Sequence, residues 1–290
     1  MYYKKPEKLS LLWVISHLMT KNLDEKGLRT IVGIYDIFFI DLWGVVHNGL
    51  KLHSNAIDVL NNLTKLNKKY ILLTNAPRPN DTVQVFLKKM GMDKSILEKV
   101  YTSGQAALNY LKKKHLKDSF YHIGPSRDFD LFENFKKNKS EKIEDSDYFL
   151  CTGLFENYDK DLNYYKDLFN NFTSRKMICT NPDLIVDRGD KRELCAGSVA
   201  MVFEKMGGEV IYFGKPFPEV YKQAINYNNK KVLSIGDNLN TDIKGANLLN
   251  FDSMMITNGI HKEEIRKDGM ENVSKSYEVL VNYLQTELKW

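Results

Sequence analysis

Phe38-Phe39-Ile40-Asp41-Leu42-Trp43-Gly44-Val45-Val46 reads as an apolar strand that delivers a carboxylate at its C-terminal end. Parallel-sheet proteins place their sites at that end of the strands. Gly44 then permits a tight turn, so Asp41 stands where chain direction changes. An Asp in this place also serves as a turn residue or helix cap, and the stretch acquires meaning only beside others like it.

Working outward, short β-branched or aromatic runs bounded by turn signals recur at 35–40, 70–73, 100–102, 210–213, 232–235 and 253–256. Helical periodicity fills the gaps between them. Ala56, Val59, Leu60 and Leu63 fall at i, i+3, i+4 and i+7, with Ser54 expected as N-cap. Val83, Phe86, Leu87 and Met90 repeat the pattern before Gly91, and Val199, Val202, Phe203 and Met206 before Gly207. This alternation predicts an α/β fold: a Rossmann-like parallel sheet core with helices on both faces. Residues 105–206 have an alternation of their own, with strands expected at 120–123, 148–151 and 177–179. The segments that carry chemistry flank this stretch, so it is expected as an inserted α/β cap domain. The core is then 1–104 and 207–290, with 1–30 as an N-terminal helical extension.

Composition narrows the function classes. Hydrophobic residues at 43% and charged residues at 27% of 290 are the balance of a globular domain, and no apolar stretch is long enough to span a bilayer. Lys4 and Lys5 before the run 9–15 faintly resemble a signal peptide. Ser16 and His17 break the run and no small-residue cleavage site follows, so an amphipathic helix is expected there. Cys151, Cys179 and Cys195 are widely spaced and lack a Cys-x-x-Cys pattern, which argues against a disulfide framework or zinc site and for the reducing cytoplasm. The net charge is +5, but the basic runs at 112–115 and 136–139 are short and lack interleaved aromatics. Solvated faces account for them, and neither a nucleic-acid nor a membrane partner is expected.

Three more segments share the form of the first. Ile71-Leu72-Leu73-Thr74-Asn75-Ala76-Pro77 ends an apolar strand on a hydroxyl and an amide, both able to hydrogen-bond a phosphoryl oxygen. Phe213-Gly214-Lys215-Pro216 holds a lysine at a strand end. Ser234-Ile235-Gly236-Asp237-Asn238-Leu239-Asn240-Thr241-Asp242 places two carboxylates five apart in a loop leaving an apolar strand. Paired carboxylates there suit a hard, oxygen-seeking cation such as Mg²⁺.

In this order, the four segments resemble the motifs of the haloacid dehalogenase superfamily across most of the chain after the first 30 residues. The sequences Thr180-Asn181-Pro182-Asp183 and Cys195-Ala196-Gly197-Ser198, followed by Gly214-Lys215-Pro216, are similar to one subclass (class IIA). That subclass carries a large α/β cap and is typified by nitrophenylphosphatases and pyridoxal-phosphate phosphatases. The resemblance implies a small phosphorylated molecule as substrate, Mg²⁺ as cofactor and an aspartyl-phosphate on Asp41. It also implies Thr74 and Lys215 as catalytic, and Gly44, Asn75, Asp183, Asn238 and Lys215 as substrate-binding. Asp41, Asp237, Asp242 and the Trp43 carbonyl become the metal set, with Asp242 more in an orienting role. Caps of this subclass often pair, which implies a homodimer through the cap.

One position departs from the family pattern. Phosphatases of this superfamily carry a second Asp two residues after the nucleophile, as proton donor and later as base. Here that residue is Trp43, whose indole N–H does neither. Three readings follow: a phosphatase that is slow or borrows another acid, with His47 nearest in sequence; a phospho-ligand binder or regulatory protein; and a dehalogenase-like hydrolase. The retained Asp237 loop speaks against the third.

Overall fold

The computed structural model describes residues 20–188 and 191–290, with the side chains of Asp187 and Arg188 outside that description. The helix expected around 9–15 therefore lies outside the described residues. Among the described residues thirteen strands follow in order: β1 (Lys21–Asn22), β2 (Ile37–Ile40), β3 (Lys69–Thr74), β4 (Val100–Thr102), β5 (Phe120–Ile123), β6 (Tyr148–Cys151), β7 (Lys176–Cys179), β8 (Ile185–Arg188), β9 (Lys191–Leu194), β10 (Glu209–Tyr212), β11 (Val232–Gly236), β12 (Asp252–Ile256) and β13 (Tyr283–Gln285). Parallel sheets alternating with helices give the expected α/β class. No helix among the described residues is long and apolar enough to cross a membrane.

The chain packs as two compact units, which do not coincide with a 105–206 insertion. Among the described residues, one comprises 20–46, 53–70 and 227–290, the other 47–52, 71–188 and 191–226. In the first unit the strand order is β1-β13-β12-β11-β2, every pair parallel. Ile37, Phe38, Phe39 and Ile40 of β2 are all buried, as a strand covered on both faces requires. The helix Ser54–Lys65 buries Ala56, Val59, Leu60 and Leu63, the stripe that the spacing predicts. Its cap differs from expectation. Ser54 is the first helical residue and His53 precedes it, with no side-chain cap bond; the Ile57 N–H instead bonds the His53 carbonyl at 3.0 Å. The described part of the N-terminal extension also differs. Lys21–Asn22 pairs with β13, and only Leu28–Thr30 makes a single 3₁₀ turn, so residues 20–30 are not an α-helix.

The second unit holds residues 71–74 of β3 alongside β4, in parallel. It also holds the parallel sheet β10-β7-β6-β5 and the antiparallel ribbon β8-β9. Phe149, Phe169, Met177, Val199 and Phe203 lie in its buried hydrophobic core. Because β10 pairs with β7 residue by residue from Glu209↔Lys176 to Tyr212↔Cys179, the sheet of the inserted stretch runs on to 212. A domain boundary at 206 would split it.

Two titratable groups in this unit meet at Thr152. The His122 Nε2 lies 2.9 Å from Thr152 Oγ1, and burial, aided by Lys139, lowers its pKa to about 4. Burial raises the Asp128 pKa to about 6, against the pull of Arg78, Arg127 and the Thr152 hydroxyl. The signs oppose each other. Between about pH 6.5 and 4 the unfolded chain binds a proton that folded His122 refuses, so stability falls as pH falls. Between about pH 6 and 3.8 folded Asp128 takes a proton that the unfolded chain does not, so stability rises. Wild type should therefore change little across this window. Asp128→Asn should leave the histidine effect unopposed and lose up to about 3 kcal/mol between pH 6.5 and 4. Thermal melts against pH read this directly; parallel profiles for the two proteins would contradict it.

Candidate active site

Register explains why distant carboxylates meet in the first unit. Ile40 of β2 stands opposite Ile235 of β11, and the Asp41 N–H donates to the Ile235 carbonyl at 2.9 Å. Asp41 therefore follows β2 immediately, as Asp237 follows β11, at the same end of adjacent parallel strands. Asp242 arrives through a π-helical turn, Leu239–Ile243, whose Asp242 N–H bonds the Asn238 carbonyl at 3.0 Å. Ligand oxygens of Asp41, Asp237 and Asp242 lie within 4.8 Å of one another. The three residues are only 8%, 6% and 2% exposed.

Backbone donors aim two of these carboxylates. The Ile260 N–H donates to Asp237 Oδ2 at 3.0 Å, and the Asn238 N–H to Asp242 Oδ2 at 3.3 Å. Glycine is required beside them. A Cβ on Gly44, whose φ is +82°, would collide with the Asp237 carboxylate, as would one on Gly259. Three ionised carboxylates this close and this buried repel one another strongly. A hard divalent cation resolves that repulsion with the ligand chemistry it prefers, so the donor set fits a metal. Trp43 is half-buried in the turn between Asp41 and Gly44.

The second unit gathers the other expected residues. Thr74 ends β3, and its hydroxyl accepts the Ala76 N–H at 3.3 Å. Asn75 Oδ1 accepts the Lys215 N–H at 2.7 Å, while its Nδ2 donates to the Lys215 carbonyl and to Asp183 Oδ1, each at 3.0 Å. Both amide hydrogens are thus committed. The Asn75 side chain thereby fixes the Lys215 segment and ties Asp183 to it. Asp183 is likewise engaged by Asn75. Thr74, Asn75 and Lys215 are buried. Sequence reasoning missed Ser103, whose hydroxyl lies 2.9 Å from the Ala76 carbonyl and 2.6 Å from that of Thr180, joining the two loops. His47 is buried too. Its Nδ1 accepts the Gly49 N–H at 3.0 Å and its ring meets Phe86 edge-on, with centroids 5.9 Å apart.

Residues 38–136 match the family model described as haloacid dehalogenase-like hydrolase, and residues 212–284 match a second model of HAD-like hydrolases. The chain belongs to the haloacid dehalogenase-like hydrolases. It is 23% identical over 260 residues to the 5'-nucleotidase YutF of Bacillus subtilis, covering 86% of this chain and 98% of that protein. It is 24% identical over 280 residues to the 4-nitrophenylphosphatase of Schizosaccharomyces pombe, covering 85% and 92%. The crystal structure of a haloacid dehalogenase-like hydrolase from Brucella suis superposes with a TM-score of 0.72 at 29% identity, covering 81% of this chain and 90% of that one. With such relatives the chain falls in the capped, nitrophenylphosphatase-like class of the superfamily.

Proposed function

We propose that this haloacid dehalogenase-like hydrolase is Mg²⁺-dependent and cleaves a small phosphorylated metabolite through an aspartyl-phosphate on Asp41. The observation that carries the reading is the trio of buried carboxylates within 4.8 Å, Asp41 and Asp237 at the ends of neighbouring parallel strands and Asp242 from the π-helical turn beyond the second. The names of the curated relatives, a nucleotidase and a nitrophenylphosphatase, support phosphate esters as the substrate class.

Mg²⁺ held by Asp41, Asp237 and the Trp43 carbonyl would offset carboxylate repulsion and draw off phosphoryl charge. The Asp41 carboxylate attacks phosphorus in line, forming a carboxyl–phosphate bond as the ester P–O bond breaks, and the leaving oxygen takes a proton from water. The family resemblance assigns Lys215 to neutralising charge on the transferring group, and Thr74 and the backbone around Gly44 to its equatorial oxygens. Asp242 keeps the Asn238 backbone in place by accepting its N–H, which fits an orienting role. Water then cleaves the aspartyl-phosphate and regenerates Asp41.

Trp43 favours a second reading, a phospho-ligand-binding or regulatory protein with little turnover, because the acid–base group that usually completes both steps is absent. Dehalogenation is disfavoured, since that chemistry needs no metal and leaves three clustered carboxylates without a purpose. The proposal extends to a cytoplasmic setting and a homodimer through the inserted region, with no nucleic-acid or membrane partner. In that setting the buried cysteines are unreactive; burial pushes the Cys179 thiol up to about 12. A screen of phosphorylated metabolites and p-nitrophenyl phosphate, with and without Mg²⁺, tests the choice. Mg²⁺-dependent turnover supports the hydrolase. Mg²⁺-dependent thermal stabilisation without turnover on any ester supports the binder.

A further inference from the structure

His261 is buried in the loop that follows β12, and none of the family motifs read in the sequence gives it a role. Its Nδ1 lies 3.1 Å from Glu264 Oε2. The Tyr277 hydroxyl donates to that same oxygen at 3.1 Å, and the Tyr277 ring meets the imidazole edge-on with centroids 4.9 Å apart. On the other side, His261 Nε2 is 3.5 Å from Asn238 Oδ1, an oxygen that also accepts the Asn240 N–H at 2.9 Å. The imidazole thus bridges two segments, 257–264 and 237–242, each a loop running into the start of a helical turn.

Each of those loops supplies one backbone donor to a carboxylate of the trio. Immediately before His261, the Ile260 N–H holds Asp237 Oδ2. At the far end of the bridge, the Asn238 N–H holds Asp242 Oδ2. We propose that His261 is a positioning residue of the metal centre: clamped by Glu264 and Tyr277, it locks the two loops together so that Asp237 and Asp242 present their oxygens in one fixed arrangement.

Physical chemistry says why this should matter. A carboxylate free to rotate pays entropy when it binds a cation, whereas one already held by an N–H does not. Donors aim correctly only while their loops keep their spacing. A leucine at 261 would fill much of the volume and make neither polar contact, letting the loops move apart independently. Partners of this kind around a metal site are worth about 10–100-fold in metal affinity.

The inference rests on the metal reading proposed above, so the experiment separates the two. Mg²⁺ is titrated calorimetrically, without substrate, into wild type, Asp237→Asn, His261→Leu and Tyr277→Phe, and the metal-free melting temperature of each is recorded. Wild type is expected to bind, and Asp237→Asn to bind far more weakly. His261→Leu should bind about 10–100-fold more weakly than wild type, and Tyr277→Phe should show a smaller loss in the same direction. A histidine that merely packs would lower the metal-free melting temperature and leave the Mg²⁺ affinity unchanged. Wild-type binding with a folded His261→Leu protein within twofold of it would overturn this inference alone. Wild type that binds no Mg²⁺ would overturn the metal reading and this inference with it. Should His261→Leu fail to fold, Tyr277→Phe carries the test, and unchanged Mg²⁺ affinity there counts against the clamp.

Discussion

Asp41→Asn should abolish turnover, lowering kcat by roughly 10⁴-fold or more, because an amide cannot form the carboxyl–phosphate bond on which both half-reactions depend. The fold should survive. Asn has nearly the shape of Asp, and the Asp41 N–H remains bonded to the Ile235 carbonyl in the sheet register. Removing one of three mutually repelling carboxylates should also hold or raise the melting temperature of the metal-free protein, while Mg²⁺ affinity falls. Loss of activity together with retained stability is the signature of a nucleophile. A variant that still turns over within tenfold of wild type would remove Asp41 from that role.

Trp43→Asp should act in the opposite direction. If the missing acid limits the reaction, a carboxyl group two residues after Asp41 restores a proton donor for the leaving oxygen and a base for the attacking water. General acid–base groups contribute about 10²–10⁴-fold, so a gain of about 10²-fold is expected on sugar phosphates and other esters with poor leaving groups. In the first half-reaction the gain should be smaller on p-nitrophenyl phosphate, whose leaving oxygen needs little protonation, so that any gain there comes from faster hydrolysis of the aspartyl-phosphate; neither gain should appear in the Asp41→Asn background. Because the substitution trades a half-buried indole for a charge beside three carboxylates, a thermal melt at saturating Mg²⁺ precedes the rate comparison. A well-folded Trp43→Asp protein that is no faster on any ester would favour the binding-protein reading.

Much of the carboxylate cluster was legible because Asp41 and Asp237 each follow an apolar strand. Phe38-Phe39-Ile40 and Leu233-Ser234-Ile235 read as buried strands before any pairing is known, and parallel pairing then brings the residues after them together. What stayed hidden depends on partners far away in sequence. The run 210–213 reads as a strand, but nothing in it says that it joins β7, a partner about 30 residues earlier in the chain. The bonds that tie the Asn75 amide to the Lys215 backbone, 140 residues on, leave no trace in the sequence around Asn75. Ser54 carries a cap's side chain, yet the helix starts one position too early to use it that way. His261 sits in Gly259-Ile260-His261-Lys262, where no local pattern distinguishes a clamp from a solvated turn. Lys21–Asn22 was lost for a similar reason: two polar residues become a strand only because β13 offers an edge.

The most direct test concerns the covalent intermediate. With tryptophan at 43, the step that hydrolyses the aspartyl-phosphate lacks its usual base more acutely than the first step lacks its acid, provided the leaving group is good. On mixing with p-nitrophenyl phosphate and Mg²⁺, wild type should therefore release a burst of nitrophenol approaching one equivalent per chain and then slow. Acid quenching followed by peptide mass spectrometry should find phosphate on Asp41, labile to hydroxylamine as an acyl phosphate is. Trp43→Asp should shorten the lifetime of that adduct, and Asp41→Asn should show none. Steady Mg²⁺-dependent turnover with no phosphate trapped on Asp41, or phosphate trapped on another residue, would contradict the proposed chemistry.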